Sequence, residues 1–513
     1  MQPFGSITSP VSVPRLLIGA LLMGGVYLIW YAFSRFGLAA GAAVAVVPLA
    51  LCMLWFSLRN PAVAMLGMFA VNYYIMVLTR YMHDKPFGVI LDALLAFNLL
   101  LLLLQSMVGR VEWRRARTGL TLVSAIWLAY CCLELVNPES VSSAGWFMAV
   151  RSLAIYFFLT VVLTQITMAR YKYLRYMLVL WSLLTLTAVA KALIQKYIGF
   201  NAAENYWLFV LGGKTTHIIR TGVRYFSFFS DAANFGASMG LSMVVFSISA
   251  LYWRNPWMKF YFLLVAALAC YGMLISGTRS ALAVPFVGYA VFVMLSRNIR
   301  MIVAGCVVLV GAFVFLNFTT WGSGNAIVRR ARSAFNTQDA SFRVRLENQA
   351  KLRELMRDKP FGAGLGHGGG KAKTFAPDAP LSQIPTDSWY VMVWVETGVV
   401  GILLHIGILL YVLGWGAYQV VFRLRNVQLR GLTAALICGI SGIVVMAYGN
   451  EVLGQIPTGV ILYMGMGFIF LAPRFDRELA QAAAAPLPDN RVLAARAAAA
   501  SAFPDDISKT PQP

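Results

Sequence analysis

The stretch FGVILDALLAFNLLLLLLQSMVGRVEWRRART, residues 87–118, decides the fold. Its first part, 87–107, is an apolar run broken by a single acid, Asp92. About 20 such residues, rising about 1.5 Å each as a helix, cross the roughly 30 Å hydrocarbon core of a bilayer. Its second part gathers Arg110, Arg114, Arg115 and Arg117. Short basic connections mark the cytoplasmic side of a membrane protein. The stretch therefore reads as one membrane span followed by its cytoplasmic exit.

The same alternation runs along the chain in both directions. Apolar runs lie at roughly 15–33, 37–57, 62–79, 119–136, 149–168, 173–195, 231–252, 258–276, 281–296, 300–318, 388–421, 430–449 and 455–472. Several are near the lower length limit, so the expectation is an all-α transmembrane bundle of about 12–14 helices. Every second connection is basic. Arg59, the group Arg170, Lys172 and Arg175, the pair Arg254 and Lys259, the pair Arg297 and Arg300, and the group Arg423, Arg425 and Arg430 mark one side. Arg15, Arg474 and Arg477 fall on that side too. Both termini are thus expected in the cytoplasm.

Composition agrees. Of 513 residues, 59% are hydrophobic and 12% charged, whereas soluble domains carry about 45–50% and about 25%. The net charge of +22 sits mostly in the connections, which fits topology better than nucleic acid as a partner. The first apolar run lacks a clear small-residue cleavage site and reads as a retained helix. All six cysteines lie inside apolar runs, without metal-ligand spacing or a disulfide framework.

The expected organisation has five parts. Residues 1–198 and 199–318 are membrane helices, 319–387 a large external insert, 388–472 further helices, and 473–513 a disordered Ala- and Pro-rich cytoplasmic tail. The insert is anomalous. It carries eleven Lys and Arg against six acids, on the side that ought to be poor in cations. A cluster of Arg beside the outer membrane surface suits an anionic ligand, because the guanidinium fork matches phosphate oxygens. The plainer account of 341–357 is a solvated amphipathic helix, with Phe342, Leu346, Leu352, Leu355 and Met356 as its apolar contacts. Asp231 reads equally as a helix N-cap. The run Gly362–Gly370 lacks the strand–helix setting of a nucleotide loop and reads as a flexible return to the membrane. Asp92, Lys191 and Glu396 fall inside spans, where ionisable groups face the bundle interior and pair.

Four stretches, taken in order, resemble the O-antigen ligase and polymerase superfamily of bacterial membrane glycosyltransferases. They are Arg224 through Asn234; Ser276-Gly277-Thr278-Arg279-Ser280-Ala281-Leu282; Arg343 through Arg357 closing on Pro360-Phe361-Gly362-Ala363-Gly364-Leu365-Gly366; and Asp387-Ser388-Trp389-Tyr390 followed by Glu396-Thr397-Gly398. The resemblance covers about 220–402. It implies a GT-C-like helical fold in the inner membrane with a mostly helical periplasmic loop. It also implies transfer of a glycan from a polyprenyl (undecaprenyl) diphosphate carrier to an acceptor hydroxyl, on lipid A-core or another glycan, in lipopolysaccharide or exopolysaccharide assembly. The reaction implied is inverting and independent of metal or other cofactor.

On that resemblance Arg224 and Arg279 stabilise the departing diphosphate, with Arg220 and Arg343 as helpers and Asn234 in the substrate site. The family's usual His base is replaced here by Asp387, with His367 as the alternative. Asp387 could equally cap the helix that follows it. Membrane lipid is a further expected partner. A transporter or flippase for an anionic lipid-linked substrate is the alternative reading.

Overall fold

The computed structural model describes residues 15–82, 87–140, 142–219, 222–296, 298–322, 324, 326–333 and 340–484. Helices dominate them. In chain order they are α1 (Arg15–Arg59), α2 (Pro61–Tyr81), α3 (Gly88–Met107), α4 (Gly119–Leu133), α5 (Ser143–Val150), α6 (Tyr156–Thr167), α7 (Tyr171–Tyr197), α8 (Ala202–Phe209), α9 (Lys214–His217) and α10 (Ala232–Tyr252). There follow α11 (Pro256–Ile275), α12 (Ala283–Leu295), α13 (Ile299–Phe318), α14 (Ala326–Ser333), α15 (Ala340–Leu355), α16 (Gly369–Phe375), α17 (Trp389–Tyr418), α18 (Val427–Met446) and α19 (Thr458–Ala484). A two-residue hairpin pairs β1 (Ile218–Ile219) with β2 (Gly222–Val223).

Among the described residues ten helices are long and apolar enough to cross a membrane, and two more are shorter but apolar. The chain is a multi-pass, all-α membrane protein, as its composition requires. The first two expected spans are fused. α1 runs unbroken for 45 residues, because the Ser34-Arg35 link holds no proline and interrupting a helix strands backbone donors and acceptors. Ser34 turns its hydroxyl onto the Tyr31 carbonyl at 3.0 Å. At the other end, α19 continues past Leu471 to Ala484, with Phe475 buried. There Asp476 accepts from the backbone N–H groups of Arg425 and Asn426 at 3.1 and 2.9 Å. The tail beyond 484 lies outside the described residues.

Helix starts at the basic end follow one local rule. Four of them are preceded by Arg-Asn, at Arg59-Asn60, Arg254-Asn255, Arg297-Asn298 and Arg425-Asn426. Each Asn caps its helix by accepting a backbone N–H from the first turn. Pro61 and Pro256 then occupy first-turn positions whose missing N–H costs nothing. The preceding Arg supplies the topological signal and the Asn the start of the helix.

The most enclosed helices are α10, α18 and α19. The intramembrane charges pair as expected. Arg151 grips Asp92, whose Oδ1 also accepts from the Tyr156 hydroxyl at 2.7 Å. Lys191 Nζ lies 2.9 Å from Glu204. Cys131 and Cys438 are buried, Cys270 is half-buried, and Cys52, Cys132 and Cys306 are exposed on the apolar surface.

The glycine run 362–370 is not a loose return. Gly362, Gly364 and Gly366 adopt φ of 87°, 88° and 88°, a region closed to most side chains. Gly362 and Gly366 lie against other backbone and Gly364 against Ser140, so a Cβ on Gly362 would stand 2.5 Å from the Glu396 carbonyl oxygen. Gly398 breaks α17 at φ 67°, and a Cβ there would stand 2.0 Å from the Pro360 carbonyl. Ala363 N–H donates to the Val395 carbonyl at 2.9 Å. The Glu396 carboxylate accepts from the N–H groups of Gly366 and Gly368 at 3.1 and 3.3 Å. Composition suggested flexibility; close backbone approach is what the glycines provide.

Candidate functional site

The segments between α7 and α10, between α11 and α12, between α13 and α17 and between α18 and α19 meet at one end of the bundle, opposite the Arg-Asn helix starts. A cavity of about 470 Å³ opens there. Arg224, Arg345 and Lys373 bring cations to its wall, and Asp231, Asp387 and Glu451 bring carboxylates.

Arg224 is set by the hairpin. Its backbone N–H donates to the His217 carbonyl at 2.8 Å. Its guanidinium donates to the Thr216 carbonyl at 3.0 Å and to the Thr278 hydroxyl at 2.9 Å. Thr278 in turn donates to the Ala232 carbonyl at 2.9 Å, at the first turn of α10. Gly277 makes this possible: φ is 60°, and a Cβ would stand 3.2 Å from both Arg224 Cγ and Arg330 Nε. Burial is the main force pulling the Arg224 guanidinium below its ordinary value; Asp231 opposes it and nearby Arg279 adds to it. The guanidinium stays charged, and its Nε is a buried donor without a partner.

His217, on the same wall, is buried and neutral. Desolvation pulls it down to about 4. Its Nε2 accepts from Ala232 N–H at 3.2 Å, which leaves Nδ1 to donate to the Gly213 carbonyl at 3.0 Å.

The three carboxylates differ in commitment. Asp231 caps α10, accepting from Ala233 and Asn234 N–H at 2.7 and 3.0 Å, so its N-cap role is real. Glu451 accepts from the Thr386 hydroxyl. Asp387 is exposed, and among the described residues its carboxylate has no hydrogen-bond or ion-pair partner. It does not cap α17 either; Ser388 holds that position. Asp387 adopts φ 51°, sparsely populated by residues other than glycine.

Arg345 and Lys373 likewise have no protein acceptor among the described residues. Arg345 sits on α15. Leu352 and Met356, seven and eleven residues on, are the positions on its face that bury, against Ala363, Leu381 and Val395. Leu346 and Leu355 stay exposed, so only part of the expected apolar stripe packs.

The expected site residues therefore separate. Arg224 and Asp387 share the cavity. Arg279 lies behind Arg224, in a cleft with Gly277, Thr278 and Arg330, its guanidinium 3.5 Å from the Ser333 carbonyl. Arg343 is exposed and outside the cavity, two positions and about 200° around the helix from Arg345. Asn234 is buried and structural in its contacts: it donates to the Ile456 carbonyl at 2.7 Å and accepts from the Thr458 hydroxyl at 2.6 Å. His367 is buried with Nδ1 3.1 Å from the Gly364 carbonyl, and lines no part of this cavity. Arg220 lies outside the described residues. Lys373, Glu451 and Arg345 were not singled out by sequence; the burial phase of α15 would have found the last.

Residues 264–406 match the family model described as O-antigen ligase. The matched span contains the 276–282 link, the large insert and the start of α17 through Glu396-Thr397-Gly398; Arg224 lies before it. The match supports membership of the O-antigen ligase and polymerase superfamily, and at family level an O-antigen ligase-type membrane glycosyltransferase. No curated protein matches the chain.

Proposed function

On the premise of that family match, we propose that the chain transfers a glycan from a polyprenyl diphosphate carrier to an acceptor hydroxyl, at the periplasmic face of a bacterial inner membrane. The observation that carries the reading is the cavity itself: Arg224, Arg345 and Lys373 turn toward one space with donor capacity left over, beside an uncommitted carboxylate.

The diphosphate occupies the cationic wall. The acceptor oxygen attacks the anomeric carbon, the bond from that carbon to the diphosphate oxygen breaks, and the electron pair leaves with the diphosphate. The acceptor proton passes to the Asp387 carboxylate. Fixed guanidinium groups stabilise the charge that grows on the leaving oxygen more than they stabilise the bound ground state. Arg279 acts from behind, through the Gly277-Thr278 link that orients Arg224. The chemistry is inverting and needs no metal in this scheme.

The test is complementation of a deletion strain of the parent bacterium, with surface polysaccharide read on a gel. Wild type is expected to restore high-mass polysaccharide, and Arg224→Ala, at normal membrane levels, to fail. Single repeats on the core identify a polymerase; a bare core identifies a ligase. Full restoration by Arg224→Ala overturns the diphosphate site.

A further inference from the structure

The arginines at the basic end of the bundle are not spread evenly. Between the end of α17, the start of α18 and the last turns of α19 lies a cavity of about 1060 Å³. Arg423, Arg425, Arg430 and Arg477 line it, and Asp476 is its one acid.

Three of these cations are uncommitted. Among the described residues the guanidinium groups of Arg423, Arg425 and Arg430 have no hydrogen-bond or ion-pair partner in the protein. Arg477 has one long bond, from Nε to the Pro473 carbonyl at 3.4 Å. Asp476 turns both carboxylate oxygens to the backbone, accepting from Arg425 and Asn426 N–H at 3.1 and 2.9 Å. It forms no ion pair with the arginines around it among the described residues. Like charges gathered on one wall repel, and an anion between them relieves the repulsion. Guanidinium forks match phosphate oxygens in particular.

The other wall is aromatic. Trp415, Tyr418 and Phe422 stand three and then four positions apart, on one face of α17 and of the π turn (Gln419–Arg423) that closes it. Their ring centroids follow one another at 5.8 and 5.6 Å, and Trp415 meets Phe470 of α19 at 6.1 Å. All three side chains are exposed, Phe422 by 71%. The row ends the long apolar span Trp389–Arg423, at the depth where Trp and Tyr collect in membrane proteins. A phosphate site and an apolar path therefore share one cavity. A free phosphate would use the first and leave the aromatic row in water. An anionic amphiphile uses both.

We infer that this cavity binds the headgroup of an anionic phospholipid, with its phosphate on Arg423, Arg425 and Arg430 and its acyl chains along the Trp415–Phe422 row toward Phe470. Basic pockets between spanning helices take such headgroups. The bound lipid braces α17 and α18 against α19. The inference is independent of the transferase reading, because this cavity lies at the opposite end of the bundle from Arg224 and Asp387.

The experiment uses the full chain, purified in detergent and stripped of lipid. Dioleoylphosphatidylglycerol, dioleoylphosphatidylcholine and inorganic phosphate are titrated in turn. Native mass spectrometry counts retained lipid, and tryptophan-fluorescence melting reads Tm. Wild type is expected to hold phosphatidylglycerol at least about tenfold more tightly than phosphatidylcholine, with a rise in Tm. Arg430→Gln is expected to weaken that binding about fivefold, the weight of one cation at an anionic headgroup. The triple variant Arg423→Gln/Arg425→Gln/Arg430→Gln should lose the preference. Arg114→Gln/Arg117→Gln, in another basic link and outside the cavity, should keep it. Equal retention of the two lipids by wild type overturns the inference. So does an equal loss in the Arg114/Arg117 variant, which would mean that net charge alone acts. If inorganic phosphate displaces phosphatidylglycerol and raises Tm as much, the cavity is a soluble-anion site and the lipid reading falls. Should the triple variant fail to insert, Arg430→Gln and the wild-type lipid comparison decide.

Discussion

The Arg224 guanidinium reaches the Thr278 hydroxyl at 2.9 Å, and Thr278 in turn donates a hydrogen bond to the Ala232 carbonyl at 2.9 Å. One hydroxyl thereby fixes the cation to the start of α10. Thr278→Val keeps the volume and removes the bond. Transfer is expected to fall about tenfold, against about a hundredfold for Arg224→Ala, with unchanged membrane levels; the figures follow from losing one orienting bond or one charge-stabilising donor. Polysaccharide yield per unit of membrane protein measures both.

Arg345 and Arg343 form a matched pair on one helix, one in the cavity wall and one exposed. Arg345→Ala should lower transfer at least tenfold, and Arg343→Ala should stay within about twofold, as is usual for a solvated surface cation. The same assay with both variants, run side by side, checks this; equal losses would break the assignment.

His217 gives a pH prediction. Its folded value is about 4, below the ordinary value near 6.5. A depressed histidine gives stability that is complete above about pH 6.5 and is lost as pH falls toward 4, because the unfolded chain takes up the proton first. The loss is at most about 3 kcal/mol. Tryptophan-fluorescence melting in detergent should show Tm falling across that window, and His217→Gln should flatten the fall.

Gly398→Ala tests the stitch between the insert and α17. The added Cβ would stand 2.0 Å from the Pro360 carbonyl, at a φ of 67°. Both faults destabilise, together by more than about 2 kcal/mol. A Tm drop of several degrees, or loss of the folded peak on size exclusion, is expected. Gly407→Ala, where a Cβ meets nothing within 4 Å, should leave Tm within one or two degrees.

The membrane class was legible in residues 87–118 alone, because span length and basic exits are local properties. Arg224 and Asp387 were legible because each stands at the entry to a long apolar run on the expected external side. Arg345 was hidden among eleven cations whose charge is alike; only the burial of Leu352 and Met356 tells which face of α15 turns inward. Glu451 was hidden because its short link looked like an ordinary connection, and nothing local reports that it meets Thr386 across 65 residues. The glycine run misled for a related reason. Composition cannot distinguish glycine used for freedom from glycine used to let two backbones touch.

The stitch at Gly398 has a mechanical consequence. Residues 360–368 belong by sequence to the polar insert, yet Pro360 fills the break in α17, and Val395 and Glu396 hold the segment that follows. That stretch has no travel of its own. Any tilt or slide of α17 within the bilayer carries residues 362–368 with it, and so shifts the Gly369 edge of the cavity wall, as a lever carries its tip.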